Sequence, residues 1–408
     1  MAADDGTAVH LGPLAAHVDS VLDELRVAGY APTAVTSRRG IINAFIRWID
    51  VERLAVEELS EADLAAFLKR RSPRREDSKE RAVLRRFLTH LREHGLCSLP
   101  APRPVTPVED ITQRYVTFLR RDRGLAENSI AVYAPCARDF FAYRVKQVGQ
   151  LALNGLDAEA VRTFLLERIA NRSTESSRLV SVSIRSVLRF LFLRGETPRD
   201  LSSAVPMVRV YRQATVPAVL SAEEVERVLA TPDPTTVPGC RDAAILLLLA
   251  RLGLRASEIM GLELGDLRWR AGEIVIRGKG PQRDHVPLLA DVGDAIARYL
   301  QHGRGPSTSR RVFLRVIPPR VGLARPCAID HIVRLAFRRA GVRPRPRRVA
   351  HLFRHSLATR MIRRGASMPE IAEVLRHRSQ TTTAIYAKVS IEALRGVARP
   401  WPVMGAGR

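Results

Sequence analysis

The sequence predicts a multidomain, mainly α-helical protein, with two small helical modules followed by a larger α+β domain that carries a small β-hairpin. Three observations predict it. Apolar residues recur at helical spacing through most of the 408-residue chain, as in Ile41, Phe45, Trp48 and Ile49. Two proline-rich breaks, SLPAPRPVTPVED at 98–110 and VPMVRVYRQATVPAVLS at 205–221, divide it into segments of roughly 100, 105 and 190 residues. The first two of those segments resemble each other at a nearly fixed offset. Length points the same way, because single cores usually stop growing near ~250 residues.

The repeat comes first in chain order. GYAPTAVTSRRGIINAFIRWI at 29–49 lines up with GLAENSIAVYAPCARDFFAYR at 124–144, 95 residues further on. LSEADLAAFLKRR (59–71) resembles LDAEAVRTFLLER (156–168), and both segments close on a basic amphipathic stretch, RAVLRRFLTHLREHG (81–95) and RSVLRFLFLRGE (185–196). This predicts two copies of a four- or five-helix module with basic outer faces. Pro135 falls inside the long helix of the second copy and predicts a kink there.

The third segment mixes elements. LSAEEVERVL (220–229) opens with Ser221 and Glu224 at capping-box spacing. CRDAAILLLLARLG (240–253) reads as a buried helix stopped at Gly253. GEIVIRG (272–278) and DHVPLL (284–289) flank KGPQR and predict a β-hairpin, and 291–395 reads as mostly helical. The expected divisions are 1–100, 107–205 and 215–398, with a tail at 399–408.

Charge narrows the function. Sixty-six Lys and Arg against 42 Asp and Glu give +24 and a pI near 11.2, with Arg in large excess over Lys. The Arg guanidinium is a planar fork of donors that matches phosphate oxygens, so the expected partner is a polyanion, nucleic acid first. A GC-rich genome also raises Arg, but usually raises acidic residues with it. The 46% apolar content is ordinary for globular protein and excludes a disordered basic tail. Cys97, Cys136, Cys240 and Cys327 show no zinc spacing and read as thiols of a reducing cytoplasm. The start MAADDGTAVHLG has no signal-peptide pattern, and the longest apolar run, AAILLLLA at 243–250, is too short for a bilayer. The expectation is a cytoplasmic protein with no membrane partner.

Several residues are equipped for chemistry. Arg255 follows the helix stop at Gly253, and Glu258 stands at i+3 to hold its guanidinium. Lys279 sits between Gly278 and Gly280 at the hairpin tip, with Arg283 nearby. Lys suits proton transfer because its pKa responds to environment, whereas Arg stays charged. His351 and Arg354 share a helix face at i, i+3, preceded by the run containing Arg345, Arg347 and Arg348. His377 closes a short helix, and Tyr386 lies nine residues beyond it. Taken singly, each is an ordinary surface or core residue.

Their order and spacing are more specific. Arg255, Lys279, His351-x-x-Arg354, His377 and Tyr386 together resemble the tyrosine recombinase (phage integrase-like) family. The resemblance covers the third segment, and the segment before it is similar to that family's helical, SAM-like core-DNA-binding domain. It implies two N-terminal SAM-like modules and an α+β tyrosine-recombinase catalytic domain. It also implies a site-specific recombinase, with those six residues catalytic and Tyr386 the nucleophile. The implied reaction is a metal-independent transesterification of DNA through a 3′-phosphotyrosyl bond, by a Holliday-junction route and without a cofactor. Arg255 and Arg354 would clamp the equatorial oxygens and His377 would donate to a non-bridging oxygen. Lys279 would be the general acid, and His351 the base or orienter of Tyr386. Glu258 would support Arg255, while Arg283, Arg345, Arg347, Arg348 and Arg376 would contact DNA.

The resemblance further implies a homo-tetramer on specific recombination sites, with helper recombinases or accessory proteins, and a mobile-element setting. The tail is expected to dock on a neighbour through Leu394, Val397 and Trp401. Two departures stand out. Arg376 replaces the family's usual Gly before the second His, and Phe353 replaces the commoner Leu. The rival readings are an architectural DNA-binding protein of the same fold, a type IB topoisomerase-like relaxing enzyme, and a helix-turn-helix regulator. The regulator reading would leave Lys279 and Tyr386 without a purpose.

Overall fold

The computed structural model describes residues 14–71, 78–99, 104–208, 218–278, 283–343, 349–377, 380–383 and 386. By backbone contacts the chain divides into two compact units, one formed by residues 101–214 and the other by 1–100 with 215–408.

Among the described residues the first module has four α-helices: α1 (Ala15–Val27), α2 (Pro32–Glu52), α3 (Glu61–Arg71) and α4 (Ser78–Glu93). Pro32 starts α2 at a position where its missing N–H costs nothing, and Arg53, in the left-handed region at φ 54°, ends it. Val21, Leu22, Phe45, Leu84, Phe87 and Leu91 form its core. The separate unit repeats the plan with α5 (Pro107–Arg121), α6 (Glu127–Val148), α7 (Ala158–Ile169) and α8 (Thr174–Leu193). A Thr106–Glu109 capping box opens α5, and Tyr115, Phe140, Phe141, Ile184 and Leu191 fill the core. Helices α2 and α6 begin 95 residues apart, which is the offset of the sequence repeat. Pro135 lies within α6, and the helix continues through it to Val148.

The remaining part carries the α+β architecture. Its elements are α9 (Ala222–Leu229), α10 (Val237–Arg251), α11 (Ala256–Gly261), β1 (Leu267–Arg268), β2 (Glu273–Arg277) and β3 (Arg283–Pro287), followed by α12 (Ala290–Arg298), α13 (Cys327–Arg339), α14 (Ala350–Arg363), α15 (Met368–Val374) and α16 (Gln380–Thr383). The Ser221–Glu224 capping box forms as the spacing predicts, with the Glu224 amide 3.1 Å from Ser221 Oγ. The hairpin of β2 and β3 is antiparallel with Val275 opposite His285, and β1 adds a third, two-residue strand in the order β1-β2-β3.

Helix α10 starts three residues before the expected point, because Thr236 caps it by accepting from the Gly239 amide. The stretch between Arg304 and Pro326, expected to be mostly helical, is irregular apart from isolated bridges such as Leu314–Gly322. Its prolines and glycines explain this. The core gathers Ile245, Leu249, Ile274, Ile296, Phe313, Val333, Phe337 and Phe353. Phe353 is buried there with its ring 5.8 Å from that of Phe337, which accounts for an aromatic where Leu is commoner.

Among the described residues no helix is long and apolar enough to cross a membrane. The linker at 209–217 and the tail at 391–408, including Leu394, Val397 and Trp401, lie outside the described residues.

The packing yields a direct test. Phe141 is fully buried in its module whereas Leu166 is 67% exposed. Phe141→Ala is expected to destabilise that unit by about 3–5 kcal/mol and Leu166→Ala by less than about 0.5 kcal/mol. Urea unfolding of the full chain, followed by circular dichroism, measures both.

Candidate active site

The site is assembled by two turns and one helix. After α10, Gly253 takes φ +58°, a conformation that side-chain-bearing residues rarely adopt. A Cβ there would also lie 3.0 Å from Leu357 and Leu375. This tight turn delivers Arg255 to the N-terminus of α11. Glu258 folds back on it, accepting from the Arg255 backbone N–H at 2.8 Å and from its guanidinium at 2.6 Å.

Helix α14 contributes the second part. Its N-terminus is held by Asp330, which accepts from the Ala350 amide. One face, with Leu352 and Phe353, enters the main core. Another, with Leu357 and Ala358, packs against Ile371, Leu375 and Tyr386 in a small separate cluster. Arg354 is only 3% exposed. It donates to the Gly253 carbonyl at 2.6 Å and to the Leu375 carbonyl, so one guanidinium joins both turns. Burial, then the neighbouring Arg255 charge, brings its pKa down to about 10, and it remains a cation at neutral pH.

The second turn follows α15. Ser367 and Glu370 form a capping box that starts this helix, and Leu375 buries its end. Arg376 then adopts φ 53°. His377 comes next, its Nδ1 2.8 Å from Thr383 Oγ1. The Tyr386 side chain is 2% exposed, and its hydroxyl lies 2.9 Å from His355 Nδ1. The Tyr386 ring is nearly parallel to His377, with centroids 6.2 Å apart.

Burial dominates the electrostatics. It pushes the Tyr386 phenol up, against the opposing pull of Arg354 and Arg255. Burial also lowers His377 to about 4, helped by Arg354, Arg255 and Arg376. His355 falls to about 4 through burial, His351 and Arg354. Both imidazoles are therefore neutral at pH 7. For Glu258, burial works upward, but the Arg255 amide together with the Arg376 and Arg255 charges outweighs it and holds the carboxyl below its usual range.

The structure thus brings together Arg255, Glu258, Arg354, His377 and Tyr386. Two placements differ from the sequence reading. Arg376, expected on DNA, turns inward with its side chain 8% exposed and its guanidinium 3.1 Å from Glu258. A buried carboxylate already facing Arg255 attracts this second cation. The imidazole on the Tyr386 hydroxyl is that of His355, not His351, whose ring centroid lies 6.3 Å from that of His355. His355 was missed although a signal existed, since it stands four residues after His351 and so on the same helix face. Thr383 had no signal beyond its Thr-rich turn. Arg283 is exposed at the start of β3, opposite Arg277. Lys279, Arg345, Arg347 and Arg348 lie outside the described residues.

With this geometry in place, the chain can be set beside known proteins. Residues 218–392 match the phage integrase family, and residues 112–195 match the phage integrase N-terminal SAM-like domain. The integrase/recombinase y4rA of Sinorhizobium fredii is 37% identical over 393 residues, covering 96% of this chain and 95% of that protein. The chain belongs to the phage integrase family. As a member it is a tyrosine recombinase, a DNA strand transferase. The tyrosine recombinase XerC of Myxococcus xanthus is 31% identical over 306 residues, spanning 72% of this recombinase and 97% of XerC. Among solved structures, the XerH site-specific recombinase in a post-cleavage complex with a palindromic difH substrate shares the fold at TM-score 0.55 and 18% identity. That match covers 73% of this chain and 98% of XerH. A lambda integrase tetramer bound to a Holliday junction does so at TM-score 0.52 and 13% identity, covering 81% and 91%.

Two outcomes follow for this recombinase. Glu258→Gln leaves Arg255 and the buried Arg376 without their carboxylate and is expected to cost about 3–5 kcal/mol. Arg376→Gly costs less, since glycine suits φ 53° and Glu258 keeps Arg255; thermal unfolding ranks the two variants. His355 and His377 have folded pKa values of about 4 against 6.5 when unfolded. In that window the unfolded chain binds more protons, so their contribution is complete above pH 6.5 and is lost as pH falls toward 4. The unfolding temperature should drop across this window, and less steeply in His355→Gln.

Proposed function

We propose that this recombinase cuts and rejoins double-stranded DNA at specific sites through a 3′-phosphotyrosyl intermediate on Tyr386. One observation carries the reading: the Tyr386 hydroxyl rests 2.9 Å from a neutral imidazole, and the Arg354 and Arg255 charges act on the same phenol. A free phenol titrates near ~10, so an acceptor and positive charge are what its activation requires.

In the proposed step the Tyr386 oxygen attacks the scissile phosphorus and its proton passes to the imidazole of His355. The bond from phosphorus to the 5′-oxygen breaks, and that oxygen takes a proton from Lys279. The phosphate ester is conserved on Tyr386. A 5′-hydroxyl of a second strand then attacks the same phosphorus and releases the phenol. Arg255 and Arg354 stabilise the extra charge on the equatorial oxygens. In the tautomer in which the Thr383 hydroxyl donates to His377 Nδ1, the His377 proton sits on Nε2 and can be donated to a non-bridging oxygen. The arriving phosphate offsets the arginine charges and raises the proton affinity of both imidazoles as the reaction begins. His351 remains the second imidazole of that helix face and the competing base.

Exchange between two duplexes involves four strands, so the reading extends to a homo-tetramer passing through a Holliday junction. It agrees with the fold shared with the lambda integrase tetramer bound to such a junction. Helper recombinases or accessory proteins, and residence in the cytoplasm on DNA, belong to the same proposal.

A nicked suicide duplex from the ends of the chain's own genetic element tests it. The parent is expected to form an SDS-resistant adduct and Tyr386→Phe none; an adduct in both would assign the attack to another residue. Single-turnover cleavage by His351→Gln and His355→Gln separates the two imidazoles. The loss is expected to be about 10²- to 10⁴-fold for the true proton acceptor, here His355. Relaxation of supercoiled plasmid without strand exchange would favour the topoisomerase-like alternative.

A further inference from the structure

The first module contains a cluster that DNA chemistry does not use. His17 on α1, His90 on α4 and His94 on the turn closing α4 converge, and one ring nitrogen of each lies within 4.8 Å of the others. Ring centroids are 5.4 Å apart for His17 with His90, 5.4 Å for His17 with His94 and 4.1 Å for His90 with His94. His90 is 3% exposed, His17 half-buried and His94 exposed, so the cluster opens to solvent on one side.

We infer that His17, His90 and His94 bind a divalent transition-metal ion, Zn²⁺ being the best match, and that it fastens α1 to α4. Four features carry this. His17 Nδ1 and His90 Nε2 are 3.2 Å apart, close to the edge of about 3.3 Å that a tetrahedron with Zn–N bonds of about 2.0–2.1 Å requires. His94 Nδ1 lies 2.9 Å from the His90 carbonyl, which fixes its N–H there and leaves the Nε2 lone pair for a metal.

His90 Nδ1 is buried, and Glu24 Oε1 stands 3.4 Å away, a small side-chain rotation from a hydrogen bond. Glu24 is in turn anchored by Arg86 at 2.8 and 3.0 Å. A carboxylate behind a ligating histidine is the usual outer support of zinc sites. Finally, His90 and His94 are one helical turn apart, so both project toward α1 from one face. Three imidazoles leave a fourth position for water. The sequence reading expected no metal from the cysteine spacings and the implied chemistry; His17 lies 73 residues from His90, so no local spacing joins these two ligands.

The test uses the full chain without a histidine tag, stripped by chelator and then titrated with Zn²⁺ in equilibrium dialysis. Co²⁺ in place of Zn²⁺ reports tetrahedral geometry by its visible d–d bands. The expected result is one tightly held Zn²⁺ per chain and a higher unfolding temperature with metal. His17→Gln and His94→Gln, each at a solvent-accessible position, should weaken binding by at least about 100-fold. Glu24→Gln should weaken it by about 10- to 100-fold with stoichiometry unchanged. Retention of Zn²⁺ unaltered in the His17→Gln/His94→Gln double variant would overturn the assignment, as would failure of the folded parent to retain the ion. This outcome is independent of DNA cleavage, so it stands or falls apart from the reading of Tyr386.

Discussion

The site depends on one buried guanidinium. Arg354 has almost no access to water and, among the described residues, no carboxylate of its own; its N–H groups donate to the carbonyls of Gly253 and Leu375. A charge buried without such partners would be very costly, so the two carbonyls must be where they are. That requirement fixes the turn after α10 and the turn after α15 against α14. Arg255 follows the first turn by two residues and His377 follows the second by two. The positions of the other groups are therefore consequences of how one arginine is satisfied. Gly253 is part of the same constraint, since any side chain there would press on Leu357 and Leu375.

A charge imbalance is built on this frame. Arg255, Arg354 and Arg376 converge on a region where Glu258 is the carboxylate that faces Arg255 and Arg376. The excess positive charge helps to hold the histidines neutral and opposes the burial of Tyr386 as a neutral phenol. It is an unfavourable arrangement in isolation and, in the proposed reaction, a favourable one with a phosphate diester present, as preorganised electrostatic catalysis demands. Arg376 contributes to the frame rather than to the surface. It occupies a left-handed backbone position and spends its guanidinium on Glu258, which in turn orients Arg255.

How much was legible in the sequence depended on whether the signal was local. The Ser221 cap, the stop at Gly253, the hairpin and the 95-residue repeat are written in neighbouring residues or fixed offsets, and the structure contains each. Family-like spacing brought Arg255, Arg354, His377 and Tyr386 to notice, and they do meet. The illegible parts are tertiary. The two-residue strand β1 exists only because Ile274 and Glu273 lie beside it. Pro135 removes one helical hydrogen bond, yet packing of Phe140 and Phe141 carries α6 past it. The choice between His351 and His355 rests on where Tyr386 arrives from 31 residues away. The inward turn of Arg376 rests on a carboxylate 118 residues earlier.

The burial of Tyr386 has a thermodynamic consequence. A side chain that is 2% exposed gives a phosphate no approach until the ring or its cover moves. Taking a large apolar side chain out of its pocket costs about 2 kcal/mol, which makes the exposed state about thirtyfold rarer than the closed one. In the reaction proposed for Tyr386, contacts formed only in the assembled DNA complex have to supply that difference. Under that proposal occupancy and reactivity are separable quantities: a duplex whose contacts fall short of the gap is held without being cut.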